Sequence, residues 1–308
     1  MERIFEKWEK SICTGSLVYW NKKFYAFYAT RLINKDGKVN EQLSYAISED
    51  GIHFKKQKPN PFYTSAPGYS GRDFRDPKVF VDSTSTFHLF VSSWKENTGF
   101  HASGALVHIT SKDLKNWDVK DPVLTGQGSV PECPDYFYWK GWYYLIYGDN
   151  GNTFYVKSKN QYGPWQQPRH QTLNEDWSNV VKTAAFVNDR RIAAGWVPSR
   201  SQNKDNTHEI FGGNAVFREI IQEADGTLNS KFPLEMIPET EPALQLKLNS
   251  DLLVTTQDNS NFSINSPNGI GAVHYENIPT NCRITLEIEP QGINEEYGIN
   301  LNLLKSPH

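Results

Sequence analysis

The sequence has no long uninterrupted hydrophobic run. None approaches the roughly 18 residues with which a helix crosses a bilayer, and residues 1–6 lack the apolar core of a secretory signal peptide. We therefore expect no membrane partner, and a cytoplasmic protein if Met1 is the natural start.

The sequence also has no large excess of charge of either sign and few cysteines. Its 32 Lys and Arg residues nearly balance 35 Asp and Glu residues, which leaves a net charge of -3. No strong field attracts nucleic acid, so we expect a neutral partner and no nucleic acid. Three widely spaced cysteines without a Cys-x-x-Cys pair (Cys13, Cys133 and Cys282) indicate neither a disulfide framework nor a zinc site.

No other metal and no cofactor is expected. His88 and His108 lie in different predicted strands and lack the short spacing of metal ligands. Histidines whose hydrogen bonds are satisfied within the sheet are the preferred explanation of this pair.

Aromatic residues are abundant instead, at 13% of the chain with 9 Trp and 15 Tyr. Short aromatic or β-branched runs alternate with polar turns, and no sustained helical period occurs before residue 240. The runs repeat roughly every 50 to 60 residues, about the length of a four-stranded propeller blade. The sequence thus predicts an all-β fold with four recognisable blades, whose first strands begin near residues 15, 76, 132 and 182.

The rhythm of the sequence changes after a proline-rich joint at residues 232–242. The following runs at residues 261–264, 272–275 and 284–288 alternate as strands of a β-sandwich do. We therefore expect a β-propeller domain over residues 1–235 and a partial C-terminal β-sandwich domain over residues 240–308.

Two acidic segments lie about one blade apart at the predicted starts of inner strands. Asp76 follows Arg75 in a Phe-Arg-Asp-Pro segment, and Glu132 opens a Glu-Cys-Pro-Asp segment. The inner strands of a propeller surround one shaft, so both carboxylates are expected to converge there. Glycosidic cleavage needs such a pair, because one carboxyl group protonates the leaving oxygen and another stays ionised beside the oxocarbenium-like centre. We expect Arg75 to keep Asp76 ionised, which leaves Glu132 as the acid.

Tryptophans supply candidate sugar platforms. Trp94, in a polar loop, is the strongest candidate, and Trp177 and Trp196 are further ones. Propellers also bury aromatic side chains between blades, so a core role is the alternative for each.

The order and spacing of these segments resemble glycoside hydrolase family 32, the invertase, levanase and inulinase family. The Arg-Asp-Pro segment and the Glu-Cys pair are similar to two of its signatures, and Thr14-Gly15-Ser16 is similar to a substrate-binding motif of its second blade. Trp196 and the segments at residues 211–214 and 225–228 resemble its closing blade and the exit into its sandwich domain. The match covers nearly the whole chain.

This resemblance implies a five-bladed propeller followed by a β-sandwich, and retaining hydrolysis of fructosyl linkages in sucrose or fructans such as levan and inulin. It implies that Glu132 is the general acid/base and that Asp76 stabilises the transition state. The substrate-binding residues that we expect near them are Arg75, Cys133, Thr14, Ser16, Trp94 and Trp196.

The chain departs from the family at its amino terminus. In the family a first blade opens with an Asn-Asp-Pro-type segment whose Asp is the nucleophile, and only 13 residues precede Thr14. We therefore expect this blade and the nucleophile to be absent. Glu2, Glu6 and Glu9 are not expected to replace the Asp, so a retaining double displacement cannot run in the chain as given.

Three alternatives to an active fructosidase stay open. The chain could be a non-catalytic carbohydrate-binding propeller, or a fragment of a working enzyme. Because other propeller glycosidases also place carboxylates in the shaft, arabinosidase or xylosidase chemistry is a third reading. In each case an open propeller edge is expected to favour self-association.

Overall fold

The computed structural model describes residues 9–97, 103–173, 179–204, 206–244, 247–250, 254–256, 260–266, 269, 271–279, 281–290 and 298–299. The chain divides into two compact units, Met1–Met236 and Ile237–His308. Each unit is described by itself below.

The first unit opens with a four-stranded antiparallel sheet, the first blade. Its strands pair in chain order, and Asn21 and Lys22 form the two-residue turn between the first two, with φ angles of 46° and 63°. Such a turn matches the twist of the strands that it joins. The strands are β1 (Ser11–Trp20), β2 (Lys23–Ile33), β3 (Val39–Ser48) and β4 (Lys55–Lys56).

Three further blades follow the same antiparallel plan. In the third blade, isolated bridges from β11 to Thr172 and Gln166 take the place of a fourth strand. The strands of the second blade are β5 (Tyr69–Val81), β6 (Phe87–Lys95), β7 (Gly104–Ser111) and β8 (Asp118–Gln127). Those of the third are β9 (Glu132–Trp139), β10 (Trp142–Asp149) and β11 (Asn152–Ser158), and those of the fourth are β12 (Asn179–Phe186), β13 (Arg190–Arg200), β14 (Glu209–Gln222) and β15 (Leu228–Lys231).

These four sheets confirm the predicted all-β class and its four blades. The inner strands begin at residues 11, 69, 132 and 179, close to the predicted positions. Within the described ranges, three short 3₁₀ helices accompany the strands, at Val187–Asp189, Ser201–Asn203 and Leu234–Met236. Among the described residues, no helix is both long and apolar enough to span a bilayer.

One turn recurs where the third strand of a blade ends. Ser48 donates to Asp50 Oδ1 at 2.9 Å, and the same oxygen accepts the amides of the two residues that follow the turn glycine. Ser111 and Asp113 repeat this arrangement in the second blade. Because Asp and Ser side chains compete well for local backbone amides, this short polar segment ends the strand in both blades.

Aromatic side chains fill the spaces between blades. Phe87 of β6 packs with its ring centroid 5.2 Å from that of Trp20 on β1, and Phe90 lies 4.8 Å from Tyr136 of β9. Tyr144 of β10 is fully buried and donates its hydroxyl to the carbonyl of Gly226 at 2.8 Å. The abundance of aromatics in the sequence thus corresponds to inter-blade packing.

The second unit contains two described strand pairs. They are β16 (Leu248–Ser250) with β19 (Val273–Tyr275), and β17 (Val254–Thr256) with β18 (Phe262–Ile264). The predicted strand at residues 284–288 is wrong, because this described stretch forms no strand. Its apolar side chains are exposed, and no described residue pairs with it as the partner strand that would stabilise an alternating pattern.

Candidate active site

The two predicted carboxylates lie on neighbouring inner strands, at irregular points of the backbone. Glu132 is the first residue of β9, whereas Asp76 lies within β5 rather than at its start. The register of β5 shifts between Arg75 and Lys78, and that of β9 shifts beside Glu132. Asp76 and Cys133 have positive φ angles of 54° and 50°. Bulges of this kind turn side chains away from the regular strand direction, here towards each other.

A hydrogen bond between blades joins the two segments. The amide of Cys133 donates to Asp76 Oδ2 at 3.0 Å. Asp76 is only 4% exposed, and burial raises its pKa, while Arg75, with Nε 3.6 Å from Oδ2, and the Cys133 amide offset part of that rise. Arg75 thus lowers the pKa of Asp76, in the direction that we expect from the sequence, but desolvation acts more strongly.

Arg75 lies at the centre of the acidic cluster. Its Nη2 donates to Glu132 Oε1 at 3.1 Å, and its Nη1 donates to Asp73 Oδ1 at 2.5 Å and to Glu41 Oε2 at 3.1 Å. Burial would lower the pKa of Arg75, but Glu41, Asp76 and Asp73 together raise it above its usual range. Glu132 keeps 41% of its side chain exposed, so the cluster has one carboxylate open to solvent beside a buried one.

Cys133 supports this pair as a neutral thiol. Its sulfur lies 3.5 Å from Asp76 Oδ2 and 3.4 Å from Thr14 Oγ1. Burial, together with the charge of Asp76, raises the pKa of Cys133 to about 12. A thiol that stays protonated at neutral pH is a poor nucleophile, which agrees with a packing and positioning role.

The Thr-Gly-Ser segment of β1 links the first blade to the second. Ser16 donates to the carbonyl of Pro77 at 2.6 Å and accepts the amide of Val79 at 2.7 Å. A Cβ on Gly15 would lie 2.0 Å from the carbonyl oxygen of Phe27, so the close approach of the strands requires glycine. In this structure Ser16 therefore binds the backbone of the Arg-Asp-Pro strand.

Two of the three candidate sugar platforms, Trp94 and Trp196, lie on second strands, so the expectation that Trp94 lies in a loop is wrong. Trp94 is near the end of β6, two residues after Ser92, which pairs with Arg75. Trp196 is in β13, opposite Asn179. Both are partly exposed. Trp177 lies outside the described residues, as do Glu2 and Glu6, and Glu9 is buried with its carboxylate 2.6 Å from Lys56 Nζ.

A buried charge network that the sequence did not reveal lies next to the site. Asp135 accepts Lys78 Nζ at 2.5 Å and, through its other oxygen, the amide and hydroxyl of Thr183 at 2.8 and 2.6 Å. Lys182 donates to the carbonyl of Pro134 at 3.0 Å. Burial would raise the pKa of Asp135, but Lys78 and Lys182 lower it below its usual range. The ionised Asp135 thus joins β5, β9 and β12.

The two histidines considered above as metal ligands bind each other. His88 Nδ1 and His108 Nε2 are 2.8 Å apart, and His88 Nε2 is 3.1 Å from Asp82. Burial and the neighbouring His88 lower the pKa of His108 to about 4. Within the described residues, no group of three or more His, Cys, Asp or Glu side chains could hold a metal ion.

Comparisons with known proteins agree with this architecture. A family model described as the glycosyl hydrolases family 32 N-terminal domain matches residues 5–231. The chain is 26% identical over 212 residues to sucrose-6-phosphate hydrolase of Escherichia coli, an alignment that covers 63% of this chain and 42% of the relative. It is 28% identical over 247 residues to levanbiose-producing levanase of Geobacillus stearothermophilus, covering 70% of this chain and 60% of the relative.

A solved structure shares the fold. The crystal structure of fructan 1-exohydrolase IIa from Cichorium intybus in complex with 1-kestose superposes with a TM-score of 0.62 at 17% identity, covering 81% of this chain and 52% of that one. The chain thus spans about half the length of this structure, as it does of the two curated relatives. Because the family model matches well over half of the chain, the protein belongs to glycosyl hydrolase family 32.

Proposed function

We propose that this chain provides the acid/base half of a site that hydrolyses β-fructosyl linkages in sucrose or fructans. The observation that carries the proposal is the bond from the Cys133 amide to Asp76, which holds Asp76 beside Glu132 with Arg75 between them. Glu132 is the general acid/base, and Asp76 stabilises the oxocarbenium-like transition state.

The exposures of the two carboxylates fit these roles. Glu132, 41% exposed on its side chain, can reach a leaving oxygen and then a water molecule. Asp76 is buried and held in one orientation, which is favourable for stabilising a charge that forms at a fixed position. Arg75, Cys133 and Thr14 hold the pair, and Ser16 holds the strand that carries Asp76.

We further propose that none of the described carboxylates is the nucleophile. Glu9 forms a salt bridge with Lys56, and the carboxylates of Glu41 and Asp73 both accept hydrogen bonds from Arg75. A small external carboxylate such as formate can take the nucleophile's place. Its oxygen attacks C2 of the fructosyl unit as the C2–O bond breaks, Glu132 protonates the departing oxygen, and water then cleaves the fructosyl formate into fructose and formate.

The substrate class follows from the relatives as a proposal. Their names include sucrose-6-phosphate hydrolase and levanase, so sucrose, sucrose 6-phosphate, levan and inulin form the test panel. Trp94 and Trp196 are the residues that we propose as sugar contacts.

The test is fructose release from this panel, with and without formate, together with calorimetry of the same sugars. Release that requires formate supports the whole proposal. Release without formate supports fructosyl hydrolysis but contradicts the assignment of the nucleophile. Binding without release in either condition favours a carbohydrate-binding propeller, and absence of binding and release refutes the proposal.

Self-association and the domain division are also proposals. Leu17 and Tyr19, on one face of β1, are 50% and 58% exposed. We therefore propose that the chain self-associates through this exposed apolar face of the first blade. A compact monomer in size-exclusion chromatography would contradict that.

We retain a propeller domain of residues 1–235 and a partial sandwich domain of residues 240–308, and limited proteolysis between them is the check.

A further inference from the structure

Glu41 is a buried carboxylate for which the proposed reaction has no role. It lies on β3, the third strand of the first blade, and its side chain is 3% exposed. Burying a carboxylate is costly unless cations and hydrogen bonds compensate for the lost water. The groups that contact the Glu41 carboxylate therefore indicate the role of this residue.

Each oxygen of Glu41 accepts from a different arginine. Arg31, directly opposite on β2, donates from Nη2 to Oε1 at 2.7 Å. Arg75, from the second blade, donates from Nη1 to Oε2 at 3.1 Å. The first contact stays within one blade, while the second reaches the arginine that bonds to Glu132.

The second contact fixes how Arg75 faces the site. A guanidinium is planar and rigid, so holding one nitrogen sets the direction of the other two. With Nη1 held by Glu41 and Asp73, Nη2 bonds to Glu132 at 3.1 Å and Nε lies 3.6 Å from Asp76. The three guanidinium nitrogens of Arg75 thus contact four carboxylates. Among these four, Glu41 is the one that lies in the first blade.

We propose that Glu41 is a positioning residue that holds Arg75 across Glu132 and Asp76 and balances its charge, so that Glu132 can keep the proton that it delivers. The proton delivery rests on the function proposed above, whereas the coupling of Glu41 to Arg75 does not. The charged and titratable groups that act on Glu41 directly are Arg31 from β2, Arg75 from β5 and Cys13 from β1. On the other side of Arg75 lie Asp73 and Asp76 from β5 and Glu132 from β9.

Loss of the Glu41 charge has a defined consequence. In Glu41→Gln the positive charge of Arg75 is compensated by one carboxylate fewer, so it favours ionised Glu132 more strongly. A unit charge removed at this range in a partly buried site shifts a titration by about one pH unit. Glu41→Asp keeps the charge but shortens the reach to Arg75, so we expect a shift of less than half that size.

The test is a ¹³C NMR titration of glutamate carboxyl groups in the 308-residue chain, with the Glu132 signal assigned by its loss in Glu132→Gln. We expect the midpoint of that signal to fall by about one pH unit in Glu41→Gln and by less in Glu41→Asp. Glu49→Gln, on an exposed glutamate paired with Lys23, is the matched control and should leave the midpoint unchanged. An unchanged midpoint in Glu41→Gln, or equal shifts in the Gln and Asp variants, would overturn the proposal.

A second measurement separates this proposal from the proposed function. If formate supports fructose release, the alkaline limb of the pH profile of the release rate should move down by about one pH unit in Glu41→Gln. The NMR titration needs no turnover. If the chain is inactive but the Glu132 signal still shifts, the shift supports the positioning role of Glu41 and the inactivity counts against the proposed hydrolysis. Should Glu41→Gln fail to fold, a shift in Glu41→Asp supports the proposal and an unshifted midpoint there refutes it.

Discussion

Replacing Asp135 with Asn should destabilise the propeller unit strongly. The side chain of Asp135 is 2% exposed, and its two oxygens accept Lys78 Nζ and both donors of Thr183. Asn keeps the volume but removes the charge, which leaves Lys78 without its partner and Lys182 without the nearby carboxylate. Breaking a buried ion pair on one side costs about 3 to 5 kcal/mol, and for a unit of 236 residues this corresponds to a fall of roughly 6 to 20 °C in Tm.

Thermal and urea unfolding followed by tryptophan fluorescence provide the assay. Asp189→Asn, on an exposed aspartate near Lys140 in the same unit, is the control and should change Tm by less than about 2 °C. Adding Lys78→Met to Asp135→Asn should recover part of the loss, because the unpaired cation is removed as well. A fall of less than about 1 kcal/mol in Asp135→Asn would refute the idea that this carboxylate links the three inner strands.

The same network predicts a pH dependence for Asp135. Burial would raise its pKa, but Lys78 and Lys182 lower the folded-state pKa below the unfolded value of about 4. Its contribution to stability is therefore present above about pH 4 and is lost as the pH falls towards the folded-state pKa. The difference in stability between the wild-type chain and Asp135→Asn should shrink as the pH is lowered below about 4.

Two further outcomes concern titrating side chains. Burial raises the pKa of Cys133 to about 12, so at pH 8 a thiol reagent should label Cys133 only when the protein unfolds, whereas exposed Cys282 should react on mixing. Rapid labelling of a Cys282→Ser variant that disappears when Cys133→Ala is added would contradict this. Since burial lowers the pKa of His108 to about 4, stability should fall by roughly 3 kcal/mol between pH 6.5 and 4, and an equally steep fall in His108→Gln would exclude this histidine as the cause.

The blades were predictable because their determinants are local. Runs such as that around Phe24 alternate with turns like the one after Ser48, in which a side chain accepts amides two or three residues away. Such signals lie within a few residues of each other in the sequence. The run at residues 284–288 carried the same signal but pairs with no strand in the part of the chain that the structure describes, so its strand prediction was wrong.

The candidate site was only partly predictable for the opposite reason. The Arg-Asp-Pro and Glu-Cys segments marked Asp76 and Glu132, but nothing in the sequence around Glu41 connects it to Arg75, which lies 34 residues away in another blade. The contact of Asp135 with Thr183 likewise spans 48 residues. Such contacts arise from blade packing, and the strength of desolvation at Asp76 follows from that packing too.

Glu132 is the residue that we propose to protonate the leaving oxygen of a fructosyl substrate, which makes it the decisive position for a kinetic test. The most direct test of this role is the initial rate of glucose release from sucrose at saturating formate, measured in parallel for the wild-type chain, Glu132→Gln and the control Glu49→Gln. We expect a loss of about 10²- to 10⁴-fold in Glu132→Gln and no change in the control. Equal rates in all three proteins would contradict it.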